Sequence, residues 1–93
     1  MSSLLNDAEV QAQISQLSES WSLEDGKLQC KRTFKDFIEA MAFVNRLIDP
    51  AEAAGHHPDI AISYNRVAIT LWTHDAGGLT SKDFDLAKVI SEL

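Results

Sequence analysis

The spacing of apolar residues changes period several times along the chain, and each change predicts a new element of structure. After Asn6, apolar side chains recur at helical intervals, at Val10, Ile14 and Leu17. Asn6 and Glu9 have the spacing of a capping box, in which each side chain satisfies a free backbone N–H of the first turn. A first helix is therefore expected to begin just after Asn6.

From Trp21 onward, apolar residues recur at every second position, which predicts extended strands. Trp21 and Leu23 alternate with polar neighbours, and the pattern resumes after Asp25-Gly26 with Leu28, Cys30 and Phe34. Asp-Gly between alternating segments is a strong signal for a two-residue hairpin turn. A first hairpin is predicted here, with Cys30 as a small buried apolar residue rather than a nucleophile.

A broad apolar stripe at helical spacing follows and predicts a longer helix. Its members are Phe34, Phe37, Ile38, Met41, Ala42, Val44, Leu47 and Ile48. Pro50 interrupts the stripe, so we expect the helix to reach about Ile48 and then kink or break. Asp49 is expected to cap a short second segment, with Pro50 in its first position, Glu52 in its third and Gly55 at its end.

A second alternating region predicts another hairpin, with Asn65-Arg66 at its turn. The strand before the turn carries Ile60, Ile62 and Tyr64 on one face. The strand after it carries Val67, Ile69 and Leu71 on one face, and Ala68, Thr70 and Trp72 on the other. Thr80 and Asp83 then predict a capping box for a closing helix through Phe84, Ala87, Ile90 and Leu93.

The predicted order is helix, two strands, helix, two strands, helix. Helices interleaved with antiparallel hairpins predict an α+β fold, a two-layer sandwich with the helices on one face of a four-stranded antiparallel sheet. Residues 1–93 are expected to form a single domain. The other face of the sheet, where Thr70 and Trp72 lie, and an unpaired edge strand favour an oligomer. A monomer with a charged edge remains the alternative.

Composition and charge exclude several classes of partner. With 45% hydrophobic and 24% charged residues, the chain has an ordinary globular composition. Its formal net charge of −6 argues against direct binding of nucleic acid or anionic lipid. A single cysteine excludes an internal disulfide and suits a reducing compartment. With no signal-peptide pattern and no membrane-spanning apolar run, we expect a cytoplasmic protein.

The three histidines are the candidate functional residues. Two of the three, His56 and His57, are adjacent between Gly55 and Pro58, and His74 follows the last predicted strand. The start of one strand and the end of its hairpin partner lie at the same end, so all three imidazoles can converge at one corner of the sheet. The alternatives are a solvated loop, a zinc site and an acid–base site.

Acid–base chemistry is favoured over zinc binding. Adjacent histidines rarely supply two ligands to one zinc ion, because each ligand needs room for its own hydrogen-bond partner. Imidazole has an unperturbed pKa of about 6.5 and exchanges protons near neutral pH. Glu52 or Asp83 can orient one ring, with helix capping as the strong alternative for Asp83. The residues alone predict a proton-transfer site and leave its substrate open.

These residues together resemble a known family. Glu52-x-x-x-His56-His57-Pro58, an aromatic at Tyr64, His74 and Asp83 resemble the motif of the pterin-4a-carbinolamine dehydratases. The resemblance extends over nearly the whole chain, through "FKDFIEAMAFVNRL", "YNRVAITLWTH" and "GGLTSKDFDLAKVI". Pro50 departs from the family pattern, since a helix former is expected there.

The resemblance implies dehydration of 4a-hydroxytetrahydropterin to quinonoid dihydropterin, in tetrahydrobiopterin recycling, with no metal and no cofactor. His56 and His74 would be the acid–base pair, His57 would hold the substrate and share in proton transfer, and Glu52 would orient a ring. Substrate contacts are expected from His57, Pro58, Asp59, Thr73 and Asp83, with a plain surface carboxylate as the alternative for Asp59.

The resemblance also implies a homodimer or homotetramer. The alternative function is a non-catalytic factor of the same fold, because some relatives stabilise a transcription-factor dimer and others assist assembly of the carbon-fixing enzyme. Relatives without catalysis are expected to lose active-site histidines. All three histidines are present here, which favours an enzyme.

Overall fold

The computed structural model describes residues 4–93, and within them four helices alternate with two hairpins. The helices are α1 (Asp7–Ile14), α2 (Phe37–Arg46), α3 (Ile48–Ala54) and α4 (Ser81–Ser91). The strands are β1 (Trp21–Glu24), β2 (Lys27–Thr33), β3 (Asp59–Ser63) and β4 (Arg66–Leu71). The predicted capping box of α1 is present, with Asn6 and Glu9 bonded reciprocally.

The strands form one antiparallel sheet in the order β1-β2-β4-β3, so the two hairpins join through β2 and β4. Register fixes the faces, because Cys30 pairs with Ile69 and Leu28 pairs with Leu71. These side chains are buried against Phe43 of α2 and Phe84 of α4. The predicted α+β class and sheet are confirmed.

The break in the middle helix comes earlier than predicted. Helix α2 ends at Arg46 and Leu47 is the junction, so Asp49 does not cap α3 and Pro50 is its third residue. Proline has no N–H, so Pro50 cannot donate to the carbonyl of Arg46 four residues earlier. The first turn of a helix needs no such donor, which is why Pro50 fits inside α3.

The turn of the second hairpin also differs by one residue from the prediction. The turn residues are Tyr64 and Asn65, and Ser63 pairs with Arg66. Asn65 is bonded to Phe34, which lies between β2 and α2. The side-chain amide of Asn65 donates to the Phe34 carbonyl at 2.8 Å, and the backbone carbonyl of Asn65 accepts from the Phe34 N–H at 2.8 Å. These two bonds set the position of the turn.

The apolar stripe of the middle helix is only partly core. Ala40, Phe43 and Leu47 are buried, whereas Phe37, Ile38 and Ile48 are exposed. A helix lying on a sheet contacts it along one side, so a stripe this broad cannot be covered by a single layer. None of the helices in residues 4–93 has the length and apolar character needed to cross a membrane.

The contrast between Phe43 and Phe37 predicts a measurable difference in stability. Phe43→Leu should lower the free energy of unfolding by about 1–2 kcal/mol, because it leaves space in a closed core. The matched control Phe37→Leu, on the exposed side of the same helix, should change it by less than about 0.5 kcal/mol. Urea unfolding followed by circular dichroism measures both values, and equal losses would contradict this packing.

Candidate functional site

The three histidines line one open pocket at an end of the sheet. Its volume is about 320 Å³, and its walls are Gly55, His56, His57, Thr73, His74, Asp75 and Lys82. The residues come from the end of α3, the segment after β4 and the first turn of α4. The structure therefore brings together side chains from distant parts of the sequence.

Gly55 turns the chain so that the histidine pair faces this pocket. It ends α3 in the left-handed region, with a φ of 61° that an L side chain adopts only with strain. The N–H of Gly55 donates to the Glu52 carbonyl and that of His56 donates to the Ala51 carbonyl, at 3.2 and 3.1 Å. These bonds close the helix end and set the direction of the chain at His56.

A tight loop fixes the backbone on either side of His74. Thr73 and Gly78 form an isolated antiparallel bridge, in which the Thr73 N–H donates to the Gly78 carbonyl at 2.9 Å. Gly77, with a φ of 77°, donates to the carbonyl of Thr73 at 2.9 Å. The loop thus holds the His74 backbone directly beside the end of β4.

His56 is bound to a buried carboxylate. Its Nε2 lies 2.5 Å from Oδ1 of Asp83, and the exposed fractions of the two side chains are 11% and 0%. Oδ2 of Asp83 accepts two further hydrogen bonds, from the Thr73 hydroxyl at 2.9 Å and from the Thr80 N–H at 3.0 Å. A carboxylate surrounded by donors is an acceptor, so we assign the proton of neutral His56 to Nε2 and leave Nδ1 free.

Asp83 combines the two functions that the sequence left as alternatives. One oxygen caps α4 through the Thr80 N–H, and the other binds His56. The Thr73 hydroxyl, which also lies 2.8 Å from that of Thr80, holds the carboxylate from the sheet side. Asp83 lies behind His56, and its side chain has no solvent exposure.

His57 also contacts a carboxylate, but both side chains are exposed to solvent. Its Nε2 lies 2.5 Å from Oε2 of Glu52, and the side chains are 63% and 69% exposed. Solvent-exposed contacts between polar side chains contribute little to stability, about 0–1 kcal/mol even where both groups are charged. Glu52 can therefore orient His57, while Asp83 holds His56 much more rigidly.

His74 differs from both. Within residues 4–93 its ring has no hydrogen-bond partner, and it lies against the indole of Trp72 with ring centroids 3.9 Å apart. Both of its ring nitrogens are therefore free for a ligand. The sequence pattern predicted that Trp72 lies on the outer face of the sheet, but it did not predict the contact of Trp72 with His74.

The histidine pocket is not lined by three of the predicted substrate contacts, Pro58, Asp59 and Asp83. Asp83 is buried behind His56. Pro58 lines an adjoining apolar pocket of about 210 Å³, which also includes Glu52 and His57. Asp59 is exposed at the start of β3 and lines neither pocket. Lys82, by contrast, lines the histidine pocket and was not predicted. Its position next to Asp83 in the first turn of α4 was the available signal.

No set of three His, Cys, Asp or Glu side chains in residues 4–93 is grouped to hold a metal ion. His56 and His57 each direct Nε2 at a carboxylate rather than at a shared point. What this arrangement offers chemically is proton exchange at three imidazoles, with two of the rings oriented by acids.

Comparison with known proteins identifies the family of this chain. The profile described as pterin 4 alpha carbinolamine dehydratase matches residues 3–93. The chain belongs to this family. A relative in Trichormus variabilis, provisionally named a pterin-4-alpha-carbinolamine dehydratase, is 67% identical over 93 residues, which are all of this chain and 99% of the relative. A relative of the same provisional name in Thermosynechococcus vestitus is 55% identical over 93 residues, covering 100% of this chain and 97% of the relative.

Solved structures agree with the family and the fold. A Brucella melitensis crystal structure described as a transcriptional coactivator/pterin dehydratase superposes with a TM-score of 0.88, at 31% identity and 95% coverage of each chain. A pterin dehydratase-like RuBisCO assembly factor of the alpha-carboxysome superposes with a TM-score of 0.66, at 23% identity, over 80% of this chain and 88% of that one. The second similarity shows the fold alone.

The buried Asp83 contact predicts the tautomer of His56. In Asp83→Asn the acceptor of the His56 proton can be replaced by an amide donor, so the neutral ring should lose its preference for the Nε2–H form. Two-bond ¹H–¹⁵N correlation spectra report this directly, when recorded at an alkaline pH above which the imidazole signals no longer change. The variant should also lose about 1–3 kcal/mol of stability, since it disturbs a buried hydrogen-bond network.

The matched control is Asp85→Asn, which removes an exposed carboxylate two residues further along the same helix. It should leave the tautomer of His56 and the stability nearly unchanged. A His56 tautomer that is identical in wild type and Asp83→Asn would contradict the assignment.

Proposed function

We propose that this protein catalyses the dehydration of 4a-hydroxytetrahydropterin to quinonoid dihydropterin and water. The observation that carries the proposal is the grouping of His56, His57 and His74 around one pocket, in a chain that belongs to the dehydratase family. In tetrahydrobiopterin recycling this step follows the hydroxylation of aromatic amino acids and precedes reduction of the dihydropterin.

The reaction needs one acid and one base. The C4a–O bond breaks with protonation of the departing hydroxyl, and a base removes the proton from N5, so that water and quinonoid dihydropterin result. Each such proton transfer typically accelerates a reaction by about 10²–10⁴-fold. We assign both transfers to the pair His56 and His74.

His56 is the better candidate for the base. With the proton assigned to Nε2, which contacts Asp83, Nδ1 keeps a lone pair that can take the N5 proton. The imidazolium that then forms is stabilised by a carboxylate that no solvent reaches, an arrangement known from other histidine bases. His74, whose ring nitrogens have no hydrogen-bond partner within residues 4–93, then donates to the leaving hydroxyl.

His57 and Glu52 are assigned to substrate placement. His57 lies between the histidine pocket and the adjoining apolar pocket, so one ring can contact both the reacting part of a pterin and its neighbouring atoms. Pro58 extends this surface. Asp59, the next residue, lines neither pocket and is proposed as a contact beside Pro58. Thr73 and Asp83 hold His56 in place, since the Thr73 hydroxyl donates to the carboxylate that contacts His56.

We also propose that residues 1–93 act as one domain within a cytoplasmic homo-oligomer that does not bind nucleic acid directly. The net charge of −6 supports the absence of direct nucleic-acid binding. The single cysteine, which is buried, supports a cytoplasmic location. The exposed edge strand β3, with Ile60 and Ile62 both more than a third exposed, supports assembly.

Sedimentation equilibrium tests the assembly. Dimers or tetramers are expected at micromolar concentration, because an unpaired edge beside exposed apolar side chains favours association. A monomer mass at every concentration would contradict the proposed oligomer while leaving the dehydratase assignment standing.

The decisive measurement is the rate of quinonoid dihydropterin formation from chemically generated 4a-hydroxytetrahydropterin. His56→Ala and His74→Ala should each lower kcat by about 10²–10⁴-fold, as expected for loss of an acid or base. His57→Ala should act more on KM than on kcat. The wild-type rate should be the same with and without a chelator.

Asp85→Asn serves as the control variant, since this exposed carboxylate on α4 lies outside the pocket. It should keep the wild-type rate. A folded wild-type protein with no rate above the uncatalysed background would overturn the proposal and favour a non-catalytic binding or assembly function.

A further inference from the structure

His74 is the only proposed catalytic histidine whose ring is not held by a carboxylate in residues 4–93. A proton donor must nevertheless keep a defined orientation toward the leaving group. We propose that Trp72 is the positioning residue for His74, which it orients by stacking rather than by hydrogen bonding. The catalytic part of this inference rests on the proposed dehydratase function.

The geometry of the stack supports this assignment. Trp72 and His74 are two residues apart in the segment that follows β4, and alternation continued from the strand places their side chains on the same side. Their ring centroids are 3.9 Å apart and their planes are tilted by 39°. Such a contact covers one face of the imidazole and leaves its edge, with both nitrogens, open.

The indole itself is held from the neighbouring strand. Leu28 pairs with Leu71, so Lys27 lies beside Trp72 at the next position of the register. The Nζ atom of Lys27 is 4.5 Å from the centroid of the Trp72 ring, which is a cation–π contact. Trp72 is also half-buried. The indole is therefore placed by a cation–π contact from β2 and by packing against the hydrophobic core.

The backbone of His74 needs no further support. The bridge between Thr73 and Gly78 and the bonds to the Thr73 carbonyl already hold the loop. What these bonds leave free is rotation of the His74 side chain about its own two torsions. Removing the indole should therefore affect the orientation of the imidazole more than the backbone of His74.

The first arm of the test uses NMR on the ligand-free protein and needs no activity. An aromatic ring this close shifts the ring-proton resonances of its neighbour upfield. In Trp72→Leu the His74 ring protons should move downfield, whereas those of His56 and His57 should keep their positions. Trp72→Phe, which retains an aromatic face, should show a smaller displacement. Unmoved His74 resonances in Trp72→Leu would overturn the proposed contact.

The second arm is a double-mutant cycle on kcat. Trp72→Leu should lower kcat by about tenfold, since small misplacement of a catalytic group is costly, while KM changes by less than about twofold. In a His74→Ala background the same substitution should have almost no further effect, because its target is gone. Trp72→Phe should recover most of the wild-type kcat.

The control is Thr70→Val, which changes the same face of the same strand two residues earlier and keeps the β-branched shape. It should leave kcat and the His74 resonances as in wild type. Equal losses from Trp72→Leu in the presence and absence of His74 would overturn the positioning role. If wild type lacks dehydratase activity, the proposed function fails, but the NMR arm still decides whether Trp72 orients His74.

Discussion

The buried carboxylate of Asp83 is the interaction on which the rest of the site depends. It is fully enclosed, and each of its hydrogen bonds comes from a different part of the chain: His56 after α3, Thr73 after β4, and Thr80 before α4. A buried charge is costly unless it is surrounded by donors. The same bonds that make its burial tolerable also join two helices and the sheet at the pocket.

The three imidazoles differ in what they contact. His56 contacts a buried acid, His74 lies against an aromatic face, and His57 contacts an acid in solvent. The proposed reaction needs two placed proton carriers and one adaptable contact, and this arrangement suits it, because a solvent-exposed ring can adjust while the other two stay in position.

Local chemistry made much of this structure predictable from sequence. Asp25-Gly26, the Asn6 cap and the alternation in β4 each act through near neighbours, and the fold followed from them. The two errors have different causes. The second turn is set by a distant residue, since Asn65 bonds to Phe34. The helix break is a local effect, since Pro50 cannot donate to the carbonyl of Arg46 four residues earlier. The nitrogen of His56 that carries the proton, and the stacking on His74, needed the folded geometry.

The dual use of Asp83 has a consequence for how this fold can change over time. A lineage that lost His56 would leave Oδ1 of this buried carboxylate without its donor, at a cost to folding of about 1–3 kcal/mol. The aspartate would still be required to begin α4 and to satisfy the Thr73 hydroxyl. An aspartate in a descendant without the histidines would thus record inherited architecture, and its presence alone would say nothing about chemistry.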